Sequence, residues 1–235
     1  MSPAGEPGDT ARIRRTLDDS VGSDVLAQSV IEFGPGRSRA RETGDCEEVL
    51  FVLEGEGKLI LDGEAHRLEP EAGAYLAPGE RYEVEGPVKV VSVRIPDPTL
   101  DVKSGGREIV RRLADQEPQD ATTDRQFRVV ADPESGLRSA THFVGYIPVA
   151  RAPDHFHYYD EVIYVLEGEG MMHMNGESSP LSPGSCIHLP SKTVHCLENV
   201  GDDVMRVVAV FRPAGSPAAA YYPDGTPAYQ GAASE

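Results

Sequence analysis

Residues 48–64 (EVLFVLEGEGKLILDGE) and 161–177 (EVIYVLEGEGMMHMNGE) are identical at ten of seventeen positions at a constant offset of 113, so this chain of 235 residues carries one structural unit twice. Each copy has an apolar run (Val49 to Leu53, Val162 to Leu166), a Gly-Glu-Gly turn, and a second strand-like run closed by Asp62-Gly63 or Asn175-Gly176. Those closing dipeptides are two-residue hairpin signals, because both central positions of the favoured turn need positive φ. A Pro/Gly corner follows each hairpin, then a short strand and a β-branched run at residues 88–95 and 204–211. With 19 prolines and 24 glycines spread at turn spacing and little helical periodicity, the chain reads as all-β. The one helix-like stretch, Arg107 to Asp115, can equally open the second unit.

Composition narrows the function classes. A 39% hydrophobic content is enough for a substantial core, and a net charge of −17 lacks the clustered Lys and Arg that nucleic acid or an anionic membrane requires. No apolar run reaches the roughly 18–20 residues of a membrane helix, and MSPAGEPGDTARIRR has no apolar signal-peptide core. No nucleic-acid or membrane partner is expected, and the expected location is the cytoplasm. Cys46, Cys186 and Cys196 show no CxxC spacing, which fits a reducing compartment; Cys196, next to His195, reads as a buried sheet residue.

Histidine is unevenly distributed: His142, His155, His157, His173, His188 and His195 lie in the second half, and only His66 in the first. Residues two apart on a strand share a face, so His155 and His157 present two imidazoles to one point. Glu161 is too far along a straight strand to join them. The chain must turn through Tyr158–Asp160, so that Glu161 starts an antiparallel neighbour while His195 arrives from a later strand. Three imidazoles and one carboxylate suit one divalent transition metal per chain (Fe, Mn, Ni, Co, Cu or Zn), with open positions for substrate. In the first copy the offset puts Glu42, Gly44 and Glu48 at the positions of His155, His157 and Glu161, and Tyr82 (or Glu83) at that of His195. That copy reads as a degenerate unit kept for packing or subunit contact; an all-oxygen site of Glu42, Glu48 and Glu83 is the alternative.

Strand parity assigns the walls. Met205, Val207, Ala209 and Phe211 point inward, with Arg206 and Arg212 on a wet face; Ile163, Val165 and Leu197 also point inward. An apolar pocket around a metal favours a small organic substrate with a chelating oxygen. As acid–base helpers Tyr146 and His142 rank first; Tyr158, Tyr159, Asp160, His173 and His188 follow. Met171, Met172 and Met174 read as core filler.

These residues resemble the cupin superfamily, specifically a two-domain bicupin. The first cupin motif is matched by His155, His157, Glu161 and Gly168, and the second by Pro190, His195 and Asn199. Val149 and Lys192 stand where the motifs usually have glycine, a departure that concerns loop conformation. The resemblance implies two tandem jelly-roll (double-stranded β-helix) barrels. The expected division is an N-terminal segment 1–24, partly disordered; a degenerate barrel 25–100; a linker and lead-in strand 101–125; a metal-binding barrel 126–212; and a tail 213–235. A three-His, one-Glu cupin of this kind implies a metal-dependent enzyme acting on a small oxygenated molecule, foremost a dioxygenase of quercetinase-like or diketone-cleaving type. The alternatives are a non-oxidative isomerase, cyclase, decarboxylase or aminohydrolase, or a non-catalytic small-molecule-binding cupin. A homodimer fits the way cupin barrels pair. In the tail, Tyr221 and Tyr222 are expected to dock over the pocket mouth or on a partner subunit, and Tyr229 adds a third aromatic.

Overall fold

The structure is a computed structural model describing residues 4–5, 8–21, 23, 25–96, 98, 105–122 and 124–228. Tyr229 and residues 101–104 at the start of the expected linker lie outside the described residues. The described residues form β-strands joined by turns and three single-turn 3₁₀ segments, and they divide into two compact units: Met1–Asp115 with Val130–Ser139, and Gln116–Val129 with Ala140–Glu235.

Both hairpins form at the expected dipeptides. Asp62 and Gly63 adopt φ of 51° and 83°, and Asn175 and Gly176 adopt 55° and 80°, joining Gly57–Leu61 to Glu64–Leu68 and Gly170–Met174 to Glu177–Leu181. The Gly-Glu-Gly turn has a steric reason as well. Gly168 has φ 88°, and a Cβ there would lie 2.8 Å from the Met205 Cα, so neither backbone nor neighbour tolerates a side chain.

In the first unit, Arg81–Ile95 is the central strand, flanked by Ala27–Arg37 and Glu47–Gly55. Two pieces extend beyond the expected limits of 25 and 100. Ala11–Leu17 pairs with Ala27–Arg37, so part of the 1–24 segment is ordered sheet; its arginines masked the alternation that its buried ends, Ala11 and Leu17, reveal. Val110–Arg112 pairs with Ala72–Leu76, so the helix-like 107–115 stretch is a strand ending in a single 3₁₀ turn at Leu113–Asp115 and completes the first unit instead of opening the second. Segment 130–139 also belongs here: buried Glu47 accepts hydrogen bonds from the Tyr75 hydroxyl (2.8 Å) and from the Arg138 and Ser139 amides (2.9 and 3.1 Å).

The second unit packs two sheets face to face, the jelly-roll arrangement. One runs in the order Gln119–Asp120, Gln126–Ala131, Thr141–Ile147, Met205–Arg212, Asp160–Glu167, Cys186–Leu189; the other is Glu177–Leu181, Gly170–Met174, His195–Asn199. Phe143, Ile163, Val165, Met205, Val207, Ala209 and Phe211 from the first sheet meet Met172, Leu181 and Leu197 from the second in one core, as strand parity requires. The opposite face of Met205–Arg212 is not the wet face that Arg206 and Arg212 suggested, since Val208 and Val210 on it are buried. A near-continuous VVAVF run belongs to a strand covered on both faces.

Candidate metal centre

His155 and His195 face each other across an isolated antiparallel bridge, with amide-to-carbonyl distances of 3.0 and 2.8 Å. His157, two residues on, turns its ring to the same point. Candidate ligand nitrogens of all three lie within 4.8 Å of one another. Each Nδ1 meets a backbone carbonyl: His155 donates to Pro153 (2.8 Å), His157 to Ala219 (2.9 Å) and His195 to Thr193 (2.9 Å). A carbonyl can only accept, so each Nδ1 carries the proton and each Nε2 keeps its lone pair. Burial, and the other imidazoles, keep the rings neutral, pushing His157 down to about 3 and His195 to about 4, with His155 lowered too.

Three neutral imidazoles with tautomers locked by carbonyls are the donor set and the outer shell that hold a divalent metal. Converging lone pairs in a desolvated cavity are unfavourable without a cation. The residues fit the metal.

Glu161 is the second residue of the Asp160–Glu167 strand, which pairs with Cys186–Leu189 and Met205–Arg212 and is not the expected neighbour of the histidine segment, and it lines the same cavity. It stands outside the 4.8 Å imidazole cluster. Burial raises its carboxyl to about 8, a penalty that a nearby cation would offset.

The wall beside His157 is aromatic. Its ring stacks on Tyr159 (4.5 Å between centroids, 10° between planes), Tyr159 stacks on Phe211 (3.9 Å, 18°), and Phe143 meets Phe211 edge-on at 5.8 Å. Lys192, at the corner where a glycine is usual, adopts the left-handed conformation with φ 64°. Its amide holds the His157 carbonyl at 2.7 Å, and its ammonium sits 5.7 Å from the Tyr158 ring centroid. The motif's backbone shape is thus retained with a residue that strains it.

The tail packs along the cavity, and of the two tyrosines expected to dock it is Tyr221 that meets the barrel. Tyr221 bridges Phe156 (2.9 and 3.0 Å), stacks on its ring and meets Tyr158 edge-on. Pro217, Ala218 and Ala220 line the cavity, and Gly215 accepts from the Thr141 hydroxyl at 2.9 Å.

The expected helpers are placed differently. Register pairs Phe143 with Ala209 and Ile147 with Met205, both inward, which puts His142 opposite Val210 and Tyr146 opposite Arg206 on the other face. His142 is buried away from the cavity, and burial lowers it to about 3. Tyr146 borders the cavity, but its ring lies under the Arg206 guanidinium at 5.4 Å. The parity that placed both on one face was right; which face was not decidable without the partner strand. Tyr158 is exposed and Tyr159 lines the cavity. Asp160 lies 3.8 Å from His188, and His173 sits between Ser178 (2.8 Å) and Glu198 (2.7 Å). Cys196 is buried, its thiol on the Ala152 carbonyl at 2.9 Å.

Arg125 was missed. It lines the same cavity, and its charge acts on all three imidazoles. A lone arginine in a polar turn gives no spacing signal.

In the first unit the ligand positions are filled by a self-satisfied network. Glu48 is buried and accepts from the Tyr82 hydroxyl (3.1 Å) and the Ser92 hydroxyl (2.6 Å). Glu42 is exposed and Glu83 pairs with Arg37 at 3.2 Å, so the all-oxygen alternative does not assemble.

A family model for the cupin domain matches residues 142–211, the stretch that holds all four expected ligands. That stretch is a cupin domain. Three curated proteins share shorter segments with this cupin: an uncharacterized protein, MJ1618, of Methanocaldococcus jannaschii (35% identity over 60 residues, 25% of this chain and 48% of that protein), quercetin 2,3-dioxygenase of Bacillus subtilis (44% over 46 residues, 19% and 14%) and polyketide synthase CurC of Streptomyces cyaneus (36% over 62 residues, 26% and 40%). The chain therefore spans less than half the length of each. Among solved structures, a glyoxylate-induced protein of Pseudomonas aeruginosa aligns with a TM-score of 0.74 at 19% identity, covering 89% of this cupin and 83% of that chain. Oxalate decarboxylase aligns at 0.71 and 15%, covering 92% and 77%. At these identities the likeness is one of fold, and it extends over both barrels. Among the described residues no helix is long and apolar enough to cross a membrane.

Proposed function

We propose that this cupin is a metal-dependent enzyme acting on a small oxygenated organic molecule, foremost as a dioxygenase. A divalent transition metal would be held by His155, His157 and His195 with Glu161 completing the set. The observation that carries the reading is the three imidazoles converging in an apolar cavity with every Nδ1 fixed on a carbonyl. When bound, the metal supplies Lewis-acid activation and coordination positions for the substrate's oxygens.

The chain's own residues do the rest. The stacked His157, Tyr159 and Phe211 hold the first ligand pair rigid, Pro217, Ala218 and Ala220 exclude bulk water, and Glu161 offers the one carboxylate among the described cavity residues. His142 is turned away and the Tyr146 ring, at the cavity's border, lies under Arg206, which leaves little dedicated acid–base machinery and favours oxygen chemistry on a chelated substrate; the segment shared with quercetin 2,3-dioxygenase points the same way.

A non-oxidative reaction is the second reading, favoured by a cavity of about 90 Å³, too small for a polycyclic substrate. Elemental analysis of wild type and of a His155→Ala/His157→Ala variant, followed by oxygen-electrode assays with small chelating acids and diketones, tests the reading. One metal equivalent per chain, lost in the variant, with oxygen uptake is expected. No metal after reconstitution would refute it, and turnover without oxygen uptake would select the second reading.

A further inference from the structure

The charge inside the cavity needs a partner. Arg125 is the cationic side chain among the described residues lining it, on an otherwise strongly acidic chain. It sits in a tight turn, with the Ala121 amide on the Arg125 carbonyl (2.8 Å) and the Arg125 amide on the Thr122 carbonyl (3.2 Å), and this turn also sends Thr122 and Gln126 to the cavity wall. Its guanidinium has five N–H donors. One terminal nitrogen donates to the Leu197 carbonyl; its charge also meets the Cys196 thiol and the three imidazoles, and among the described residues no carboxylate pairs with it. A tether for this turn would need a donor, not a charge. A half-buried cation without a counter-ion is unfavourable, and burial is what lowers its pKa.

The size of the space limits what can fill it. At roughly 10–15 Å³ for each water position, a cavity of about 90 Å³ holds on the order of six.

We infer that Arg125 is a ligand-binding residue and that the site takes a small organic acid of about six non-hydrogen atoms, its carboxylate on the guanidinium and an adjacent oxo, hydroxyl or carboxylate oxygen directed at the imidazole cluster. Two-carbon and three-carbon 2-oxo, 2-hydroxy and dicarboxylic acids have that size and pattern. The inference deepens the proposed function and rests on it for the metal end of the ligand; the arginine end stands on the cavity alone. The planar fork of an arginine matches a carboxylate with two parallel hydrogen bonds, which a lysine cannot reproduce.

The test is calorimetric titration of the metal-reconstituted full chain with pyruvate, oxalate and the carboxylate-free chelator acetylacetone, in wild type, Arg125→Gln and Arg125→Lys, with metal content measured alongside. Pyruvate and oxalate are expected to bind wild type at one site, on the order of 10–100-fold more weakly in Arg125→Gln and several-fold more weakly in Arg125→Lys. Acetylacetone affinity and metal content should not change. If Arg125→Gln fails to fold, Arg125→Lys, which keeps a donor for Leu197, decides. Acid affinity unchanged in the folded variant, or no binding of either acid to metal-loaded wild type, overturns the inference. Wild type that takes up no metal yet binds the acids through Arg125 would sink the proposed function and leave the arginine's role standing.

Discussion

Ending the chain at Pro213 should weaken metal binding without abolishing it. The truncation removes the Ala219 carbonyl that accepts from His157 Nδ1 at 2.9 Å, the two backbone bonds between Phe156 and Tyr221 (2.9 and 3.0 Å), and the Gly215 carbonyl on Thr141 (2.9 Å). His155 and His195 keep their own carbonyls, from Pro153 and Thr193, so one ligand in three loses its orientation. Loss of one such outer partner weakens metal affinity about 10–100-fold, or roughly 1.4–2.7 kcal/mol. The three backbone and hydroxyl bonds add a stability loss of about 2–4 kcal/mol at the usual net value per bond. Competition against a chromophoric chelator reads the first quantity and urea denaturation the second. Tyr221→Ala is the control, because it deletes the stacking on Phe156 but leaves the main chain free to bridge, and its metal affinity should stay near wild type. A truncated chain with full-length metal affinity would refute the role given to Ala219. An equal loss in Tyr221→Ala would assign the effect to general loosening.

Other perturbations read other parts of the structure. Lys192→Gly should stabilise the metal-free protein by about 0.5–1 kcal/mol in chemical denaturation, because the left-handed backbone at φ 64° suits glycine; a loss of stability would show that the ammonium on Tyr158 outweighs the strain. Gly168→Ala should destabilise by about 1–3 kcal/mol through overpacking against Met205, seen as a lower urea midpoint, and a wild-type midpoint would discount the contact. Glu48 has its carboxyl raised by burial, which outweighs the opposing Ser92 and Tyr82 hydrogen bonds. Its contribution is therefore fully present below the unfolded carboxyl value and is lost as pH rises through the folded one. Glu48→Gln should accordingly gain on wild type as pH climbs from about 4.5 to 8, and parallel urea midpoints across that range would contradict the sign.

The local features were legible in the sequence, and those depending on register or tertiary position were not. Asp62-Gly63 and Asn175-Gly176 mark their turns because positive φ is a property of the residues themselves. His155 and His157 could be paired because two-residue spacing holds on any extended segment. His142 could not be placed, because the face it occupies depends on pairing with Val210 across the sheet. Val110–Arg112 carries too few residues to show a period of two, and it is a strand because Ala72–Leu76 offers it an edge. Arg125 carries its meaning only in three dimensions, through the cavity it shares with residues thirty to seventy positions later.

A chain emerges from synthesis with its N-terminal parts first. All three imidazoles at 155, 157 and 195 are therefore made before Ala219, the residue whose carbonyl aligns one of them. An interrupted translation product ending after Phe211 would carry every histidine of the centre and still lack its finished geometry. Full metal affinity accordingly belongs to the completed fold, and an interrupted chain would hold the ion only through imidazoles of which one is left unaligned.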